Sequence, residues 1–489
     1  VRVPPAQIGL LAATSIAIAF VLACAAGCDQ GRTASLEAES HARRAAATTS
    51  EQPDPYVDYP LHGLVTGLQL SVRKQPAPDA LVLGWLRKGE LIRLKPGAAK
   101  TTTCASGWYP IHPAGFACAG EGIDISKEPP QIAEEDRMQA RRDQAMPYQY
   151  YLVKDPKVPE YHQPPSRDQQ RAAAAYADMW LKLERGEDKR KLALFLEGKL
   201  PGQPARHAAV RRFLERGFYV ASTGTTVRSR RRFAHTVRGS YVKEQQLDAR
   251  SGPDFHGVEL NDTRKLPVAW AVRTAMPQLM RTRDDGTVRL VDAPDKPPIE
   301  RLSVVEGYAG TQRAPDGKVL HVLPDDTYLR HWFLAVAKPI DRPKEVGDAE
   351  VWVHVSLAEQ TLVLYRGDTP LYATLVSSGL PDHATQAGSF RIQRKLVSDT
   401  MSDIGADAAD DRYSIDDVPW TQYFDGARAL HGAFWHSQFG MQRSHGCVNL
   451  APADARYVFR HTEPQLPAGW HGISTQQTGF KGSLVLVTE

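Results

Sequence analysis

Cysteine is scarce in this chain: five among 489 residues, at positions 24, 28, 104, 118 and 447. Cys447 is the only one in the C-terminal half and has no C-x-x-C neighbour, so a dithiol redox centre is not expected there. Net charge is equally sparse. A formal +4 over this length gives no case for nucleic acid as a partner, although a slightly basic surface suits an anionic wall. Long apolar runs are missing after the N-terminal segment, so nothing later in the chain is expected to cross a membrane. Between Asp29 and Asp58 large apolar side chains are nearly absent, and such a stretch of Ala, Ser, Thr, Glu, Arg and Pro reads as a disordered tether.

What is present begins with a sorting signal: Arg2, an apolar run from Ile8, then small residues to Ala26. Ala25-Ala26-Gly27-Cys28 resembles a bacterial lipoprotein cleavage box, which implies a processed segment 1–28 and lipidation of Cys28, hence a membrane partner through an N-terminal lipid anchor. The alternative is a retained signal anchor, because the apolar run approaches the ~20 residues that span a bilayer. Either reading places the rest in the cell envelope, on the periplasmic side. The length suggests about three domains.

Residues 59–126 read as a small β module. Alternation in Leu68 to Arg73, a Pro-containing loop, then Leu81 to Leu86 and Leu91 to Leu94 mark strands. The order "L-x-V-R…P…V-x-G-x-L-x-x-G" followed by Gly107-Trp108-Tyr109 resembles bacterial SH3-like domains. Such domains often bind peptide or wall material; a plain spacer is the equal alternative. Cys104 and Cys118 flank the Trp108 hairpin and are expected to pair in an oxidising envelope, stabilising the module by about 3 kcal/mol through chain entropy. Residues 127–348 form a mixed α/β central region, with a helical stretch at 167–198 broken near Gly186. Runs at Gly217 to Val220, Arg232 to Val242 and Ala269 to Val272 suggest a second SH3-like unit over 217–272. The basic cluster Arg228 to Arg232 reads as a solvated hairpin end. His235, His256 and His321 lack ligand spacing.

Residues 349–489 change to compact strands. Gln360 to Tyr365, a turn at Arg366-Gly367-Asp368 and a return over Leu371 to Val376 form a hairpin, and Ser483 to Val487 closes what reads as a β-sandwich. The polar stretch Asp399 to Asp417 is expected as a mobile loop. The chemistry lies between Leu430 and Leu450, LHGAFWHSQFGMQRSHGCVNL, where Cys447 sits in a Ser-His-Gly-Cys turn sixteen positions after His431. A thiol attacks as its thiolate, and an imidazole within reach can take that proton and return it to a leaving amine, so the pair suggests acyl transfer. Gly446 permits a sharp bend that converges amide N–H groups on an oxyanion. By residues alone His431 and His445 are both candidate bases. A zinc site from His431, His436, His445 and Cys447 has suitable atoms but no common ligand spacing.

These residues resemble the L,D-transpeptidase catalytic domain, or YkuD domain, whose signature is His-Gly, a spacer, then Ser/Thr-His-Gly-Cys, an apolar residue and Asn or Arg. His431-Gly432 and Ser444-His445-Gly446-Cys447-Val448-Asn449 match it, and Gly379, His383, Thr385 and Gly388 continue the similarity upstream. The resemblance implies Cys447 as nucleophile, His431 as base oriented by the Gly432 carbonyl, and His445 as a residue shaping the pocket. Ser444 and Asn449 then fix the loop, and the N–H groups of Gly446 and Cys447 make the oxyanion hole. Trp435, His436, Arg443 and His383 are candidates for substrate contact, while Phe434 reads as core. The implied partners are peptidoglycan stem peptides, a tetrapeptide donor and an amine acceptor, with no metal or organic cofactor. The whole is a mainly β multidomain protein. The rival reading is a wall-binding tether with an idle catalytic domain.

Overall fold

The computed structural model describes residues 54–132, 138–186, 188–314, 316–403, 413–476 and 478–489. The expected signal segment with Cys28, and the tether up to residue 53, lie outside them. Among the described residues no helix is long and apolar enough to cross a membrane.

In the N-terminal module, Leu61–Val65 lies between Leu91–Leu94 and Ile123–Ser126 in one antiparallel sheet, while Gln69–Arg73 pairs with Val82–Arg87. Alternation places Leu70 and Val72 inward, with Leu83, Leu86, Ile92 and Leu94. The Cys104–Cys118 disulfide, Cα atoms 6.0 Å apart, packs on Trp108. This core is completed from far along the chain: Trp470 and Ile473 fill it, and Val82–Arg87 pairs with Gly472–Ser474.

The central region differs from the expected 217–272 unit. Gln149–Val153 pairs with both Tyr219–Arg228 and Leu247–Arg250, and Val158–Tyr161 with Val210–Leu214 and Tyr241–Lys243. The unit therefore starts some seventy residues earlier (149 against 217). Its early strands were obscured by the intervening helices Arg167–Arg185 and Lys189–Leu196, which separate them from their partners. The first helix is opened by a Ser166–Gln169 capping box and ends at Gly186; Asp188 caps the second. Val268–Ala271 belongs elsewhere. It pairs with Leu334–Ala337 beside a five-stranded antiparallel sheet spanning Gln278–Thr282 to Thr327–Arg330, a unit whose short strands gave no separate sequence signal.

The C-terminal domain is a sandwich. One sheet has the order Val258–Glu259, Thr369–Leu375, Thr361–Arg366, Val351–Ser356, Leu484–Thr488, Gly388–Arg391. Facing it, Arg394–Ser402 and Ser414–Asp425 pair and continue through Arg428–Gly432 to Val448–Leu450. Val353, Val355, Leu362, Leu364, Trp420, Leu430, Val448 and Val485 bury the space between, and the helix Pro452–His461 packs Ala455, Val458 and Phe459 into the same core.

The stretch Asp399 to Asp417 is not one loop. Both ends are strand, 404–412 lie outside the described residues, and Asp416 and Asp417 are buried. Their polarity is explained by partners from other units. Arg87 of the N-terminal module pairs with Asp417, and Arg212 and Arg238 of the central unit pair with Asp416, which shares Arg212 with Glu160.

Candidate active site

Arg428–Gly432 runs parallel to Val448–Leu450 with His431 opposite Asn449. Carrying that register back sets Cys447 opposite Ala429, two residues before His431, and side chains two apart on a strand share a face. Both open into one cleft of about 510 Å³ together with Leu380, Tyr413, Ile415, Trp435, Arg443, His445 and Asn449.

The loop before Cys447 is tied down on its other side. Arg443 and Ser444 each donate an N–H to Ser378 O, at 2.8 and 2.9 Å, and Asn449 exchanges both backbone bonds with Ser377 at 2.9 Å. Thr385 Oγ1 accepts from Gly379 N–H at 2.9 Å and donates to Gly446 O at 3.0 Å. Gly446 has φ +108°, a conformation side chains resist. At Gly379 the constraint is space: an added Cβ would lie 2.1 Å from His383 O and 3.0 Å from Gly446 Cα.

His431 is 2% exposed. Its Nδ1 faces Gly432 O at 3.4 Å, so Nδ1–H donates there and Nε2 is left as the acceptor. Burial pushes the imidazole down to about 4, the Gly432 contact opposing this. Burial pushes the Cys447 thiol up, opposed by the Ala429 backbone bond and the Arg428 charge. Cys447 is half-buried, and its thiol lies 3.7 Å from Ala427 O. By these shifts the thiol and the imidazole are both uncharged near neutral pH.

Several expected site residues fall elsewhere. The Gly446 N–H is already donated to Ser444 Oγ at 3.1 Å, and that hydroxyl donates to Cys447 O at 2.5 Å, so Gly446 is not a free oxyanion donor in this state. His436 does not line the cleft. It accepts from Gln438 N–H at 3.1 Å and faces Asn449 Nδ2 at 2.9 Å, and burial pushes it down to about 3, so it braces the loop as a neutral ring. His383 stands outside the lining, its ring 4.8 Å from that of His445, which is in turn 5.8 Å from Tyr413. Trp435 lies over His431 at 5.7 Å, while Phe434 is core at 3% exposure. Among the described residues no group of three His, Cys, Asp or Glu side chains is placed to hold a metal ion.

Sequence reasoning missed Tyr413, Ile415, Gly217 and Tyr219 as cleft residues. The first two lay in the stretch read as a loop, and nothing local marks the last two, more than two hundred positions from Cys447.

Residues 350–482 match the family described as the L,D-transpeptidase catalytic domain, YkuD. No curated protein matches the chain. Among solved structures, a mutant of the Enterococcus faecium L,D-transpeptidase is 21% identical with a TM-score of 0.23, over 29% of this chain and 50% of that one. The chain thus spans half the length of that protein. The L,D-transpeptidase from Mycobacterium smegmatis is 20% identical with a TM-score of 0.24, over 37% of this chain and 78% of that one. One from Mycobacterium tuberculosis H37Rv is 18% identical with a TM-score of 0.22, over 45% of this chain and 80% of that one.

Proposed function

Because residues 350–482 belong to the YkuD L,D-transpeptidase catalytic-domain family, we propose that this protein is a peptidoglycan L,D-transpeptidase that forms 3→3 cross-links through a thioester on Cys447. The observation that carries the reading is the shared cleft of Cys447 and His431, with Nδ1 of the imidazole held by the Gly432 carbonyl. His431 Nε2 takes the thiol proton as Sγ attacks the carbonyl of the third residue of a tetrapeptide stem. The Cys447 N–H supports the oxyanion, the imidazolium returns its proton to the leaving amine, and D-alanine departs. A side-chain amine of a neighbouring stem then loses a proton to His431 and attacks the thioester, releasing the thiol. Water in place of that amine makes the protein an L,D-carboxypeptidase.

The segment before residue 29 supports an exported protein anchored through lipidated Cys28 on the periplasmic side. The SH3-like resemblance supports wall contact by the N-terminal module, and a non-catalytic tether remains the alternative use of the same parts.

The test is mass spectrometry after incubating the protein with disaccharide-tetrapeptide, beside Cys447→Ala. A dimer lacking one D-alanine, formed by the wild type alone, is the expected result. Tripeptide alone would indicate hydrolysis. No product from folded, reduced protein would overturn the enzymatic reading in favour of the tether.

A further inference from the structure

One wall of the cleft comes from outside the catalytic domain. Gly217 and Tyr219 of the central unit line the same space as Cys447 and His431. They are fixed there: Tyr219 bridges Ile415 in parallel register, and its ring lies 5.4 Å from Phe434 and 6.3 Å from Trp435. Beneath them Tyr148, Tyr150, Ala221 and Val237 share one buried core with Ile415, Val418 and Phe434. The central unit is therefore built into the catalytic domain at this wall.

Among the described residues the charge there has one sign. Among the described residues no Asp or Glu lines the cleft, whereas Arg443 does. Arg250 ends one of the two strands that flank Gln149–Val153 and Tyr219 begins the other; the Arg250 guanidinium acts on the Tyr219 hydroxyl, as does that of Arg443, which lines the cleft. The chain just beyond passes close to Phe434, where a Cβ on Gly252 would lie 3.5 Å from that of Phe434. Arg443 donates to Gln438 Oε1 at 2.6 Å, and among the described residues neither arginine has a carboxylate partner. Two guanidinium groups beside a phenol, in a wall where no described residue is acidic, are suited to an anionic oxygen pair.

We propose that the central unit completes the substrate cleft, and that Tyr219 and Arg250 with Arg443 form a site for a carboxylate of the stem peptide. This rests on the transpeptidase reading above for its substrate. The carboxylate is either that of the terminal D-alanine or that on the side chain of the third residue; the chemistry of recognition is the same.

The test is calorimetric binding to the full chain carrying Cys447→Ala, so that no turnover intervenes. The ligands are disaccharide-tetrapeptide, its C-terminal carboxamide, and the analogue amidated on the third side chain. One amide is expected to bind about tenfold more weakly than the acid, the scale of one charge-assisted hydrogen bond, and which amide it is identifies the carboxylate. Arg250→Gln and Tyr219→Phe in that background should each reduce the ratio to about threefold or less, while Arg250→Lys, which keeps the charge, retains more of it. Equal binding of all three ligands, or a ratio unchanged in a folded Arg250→Gln variant, overturns the site. Turnover by the unmodified chain is read separately: its absence sinks the transpeptidase reading, whereas equal binding beside normal turnover sinks only the carboxylate site.

Discussion

Burial keeps the His431 imidazole neutral down to about pH 4, and it raises the Cys447 thiol above its ordinary value. A protonated imidazole cannot accept the thiol proton, so the acid limb of kcat/KM is expected near pH 4 rather than near the ordinary histidine value of about 6.5. Alkylation of Cys447 by iodoacetamide, which reads the thiolate alone, should still be rising at about pH 9, above the ordinary thiol value. His431→Ala should lower kcat by at least ~10²-fold, the low end for a positioned base. A limb near 6.5, or an alkylation plateau by about pH 7, would mean an ion-paired thiolate instead. Cys447 and His431, which share one cleft, could be singled out in the sequence because His431-Gly432 and Ser444 to Asn449 are short local patterns. The Gly446 N–H bond to Ser444 was not legible because the direction of that hydroxyl is set by the folded loop, nor was the place of His436, because its partner Asn449 lies across that loop.

The helix Pro452–His461 supports the strand that follows Cys447, and its C-terminus is finished by a side chain from another element. Lys395 is fully buried, with Nζ donating to Phe459 O at 2.6 Å and Thr462 O at 2.7 Å. A neutral amine has two N–H groups, one for each carbonyl, and burial pushes Lys395 down to about 7. Between that value and the unfolded lysine value of about 10.4 the unfolded chain binds the extra proton, so this group's contribution to stability rises with pH. Lys395→Met keeps the packing but takes a donor from two buried carbonyls, of which Thr462 O keeps Gln465 Nε2 at 2.9 Å and Phe459 O only a long 3.5 Å contact to Thr462 Oγ1, a cost of roughly 1–3 kcal/mol. Urea unfolding should show that deficit widening from about pH 7 to about pH 9; a gap that narrows would mean the ammonium is the form the site holds. At this scale the helix break near Gly186 and the hairpin around Gly367 were readable from composition and alternation. Ser414–Asp425 was not, because its acidic start is buried by arginines from units earlier in the chain.

Those arginines decide how the units are joined. Arg87 and Asp417 are 330 residues apart, and no pattern of either neighbourhood announces the pair. Around it, Ser398 Oγ donates to the same Asp417 oxygen at 2.9 Å, Tyr150 donates to Asp417 O at 2.6 Å, and Trp470 closes the N-terminal module's core while donating Nε1 to His112 O at 2.9 Å. Three units thus meet on one strand, whose residue Ile415 lines the cleft and whose Pro419 packs 3.0 Å from where a Cβ on Gly432 would lie. Removing one member of a buried ion pair leaves the other uncompensated, so Asp417→Asn and Arg87→Met should each cost about 3–5 kcal/mol. The double variant Arg87→Met/Asp417→Asn leaves no orphaned charge and should recover much of that, giving a coupling of about 2 kcal/mol or more in a urea double-mutant cycle. Single losses below about 1 kcal/mol would place the pair among contacts that merely accompany docking. Additive losses would separate the two residues' roles. A measured coupling makes the N-terminal module part of the framework that holds Ile415 in the cleft wall, so that the same single variants should unfold that module and the catalytic sheet in one transition rather than two.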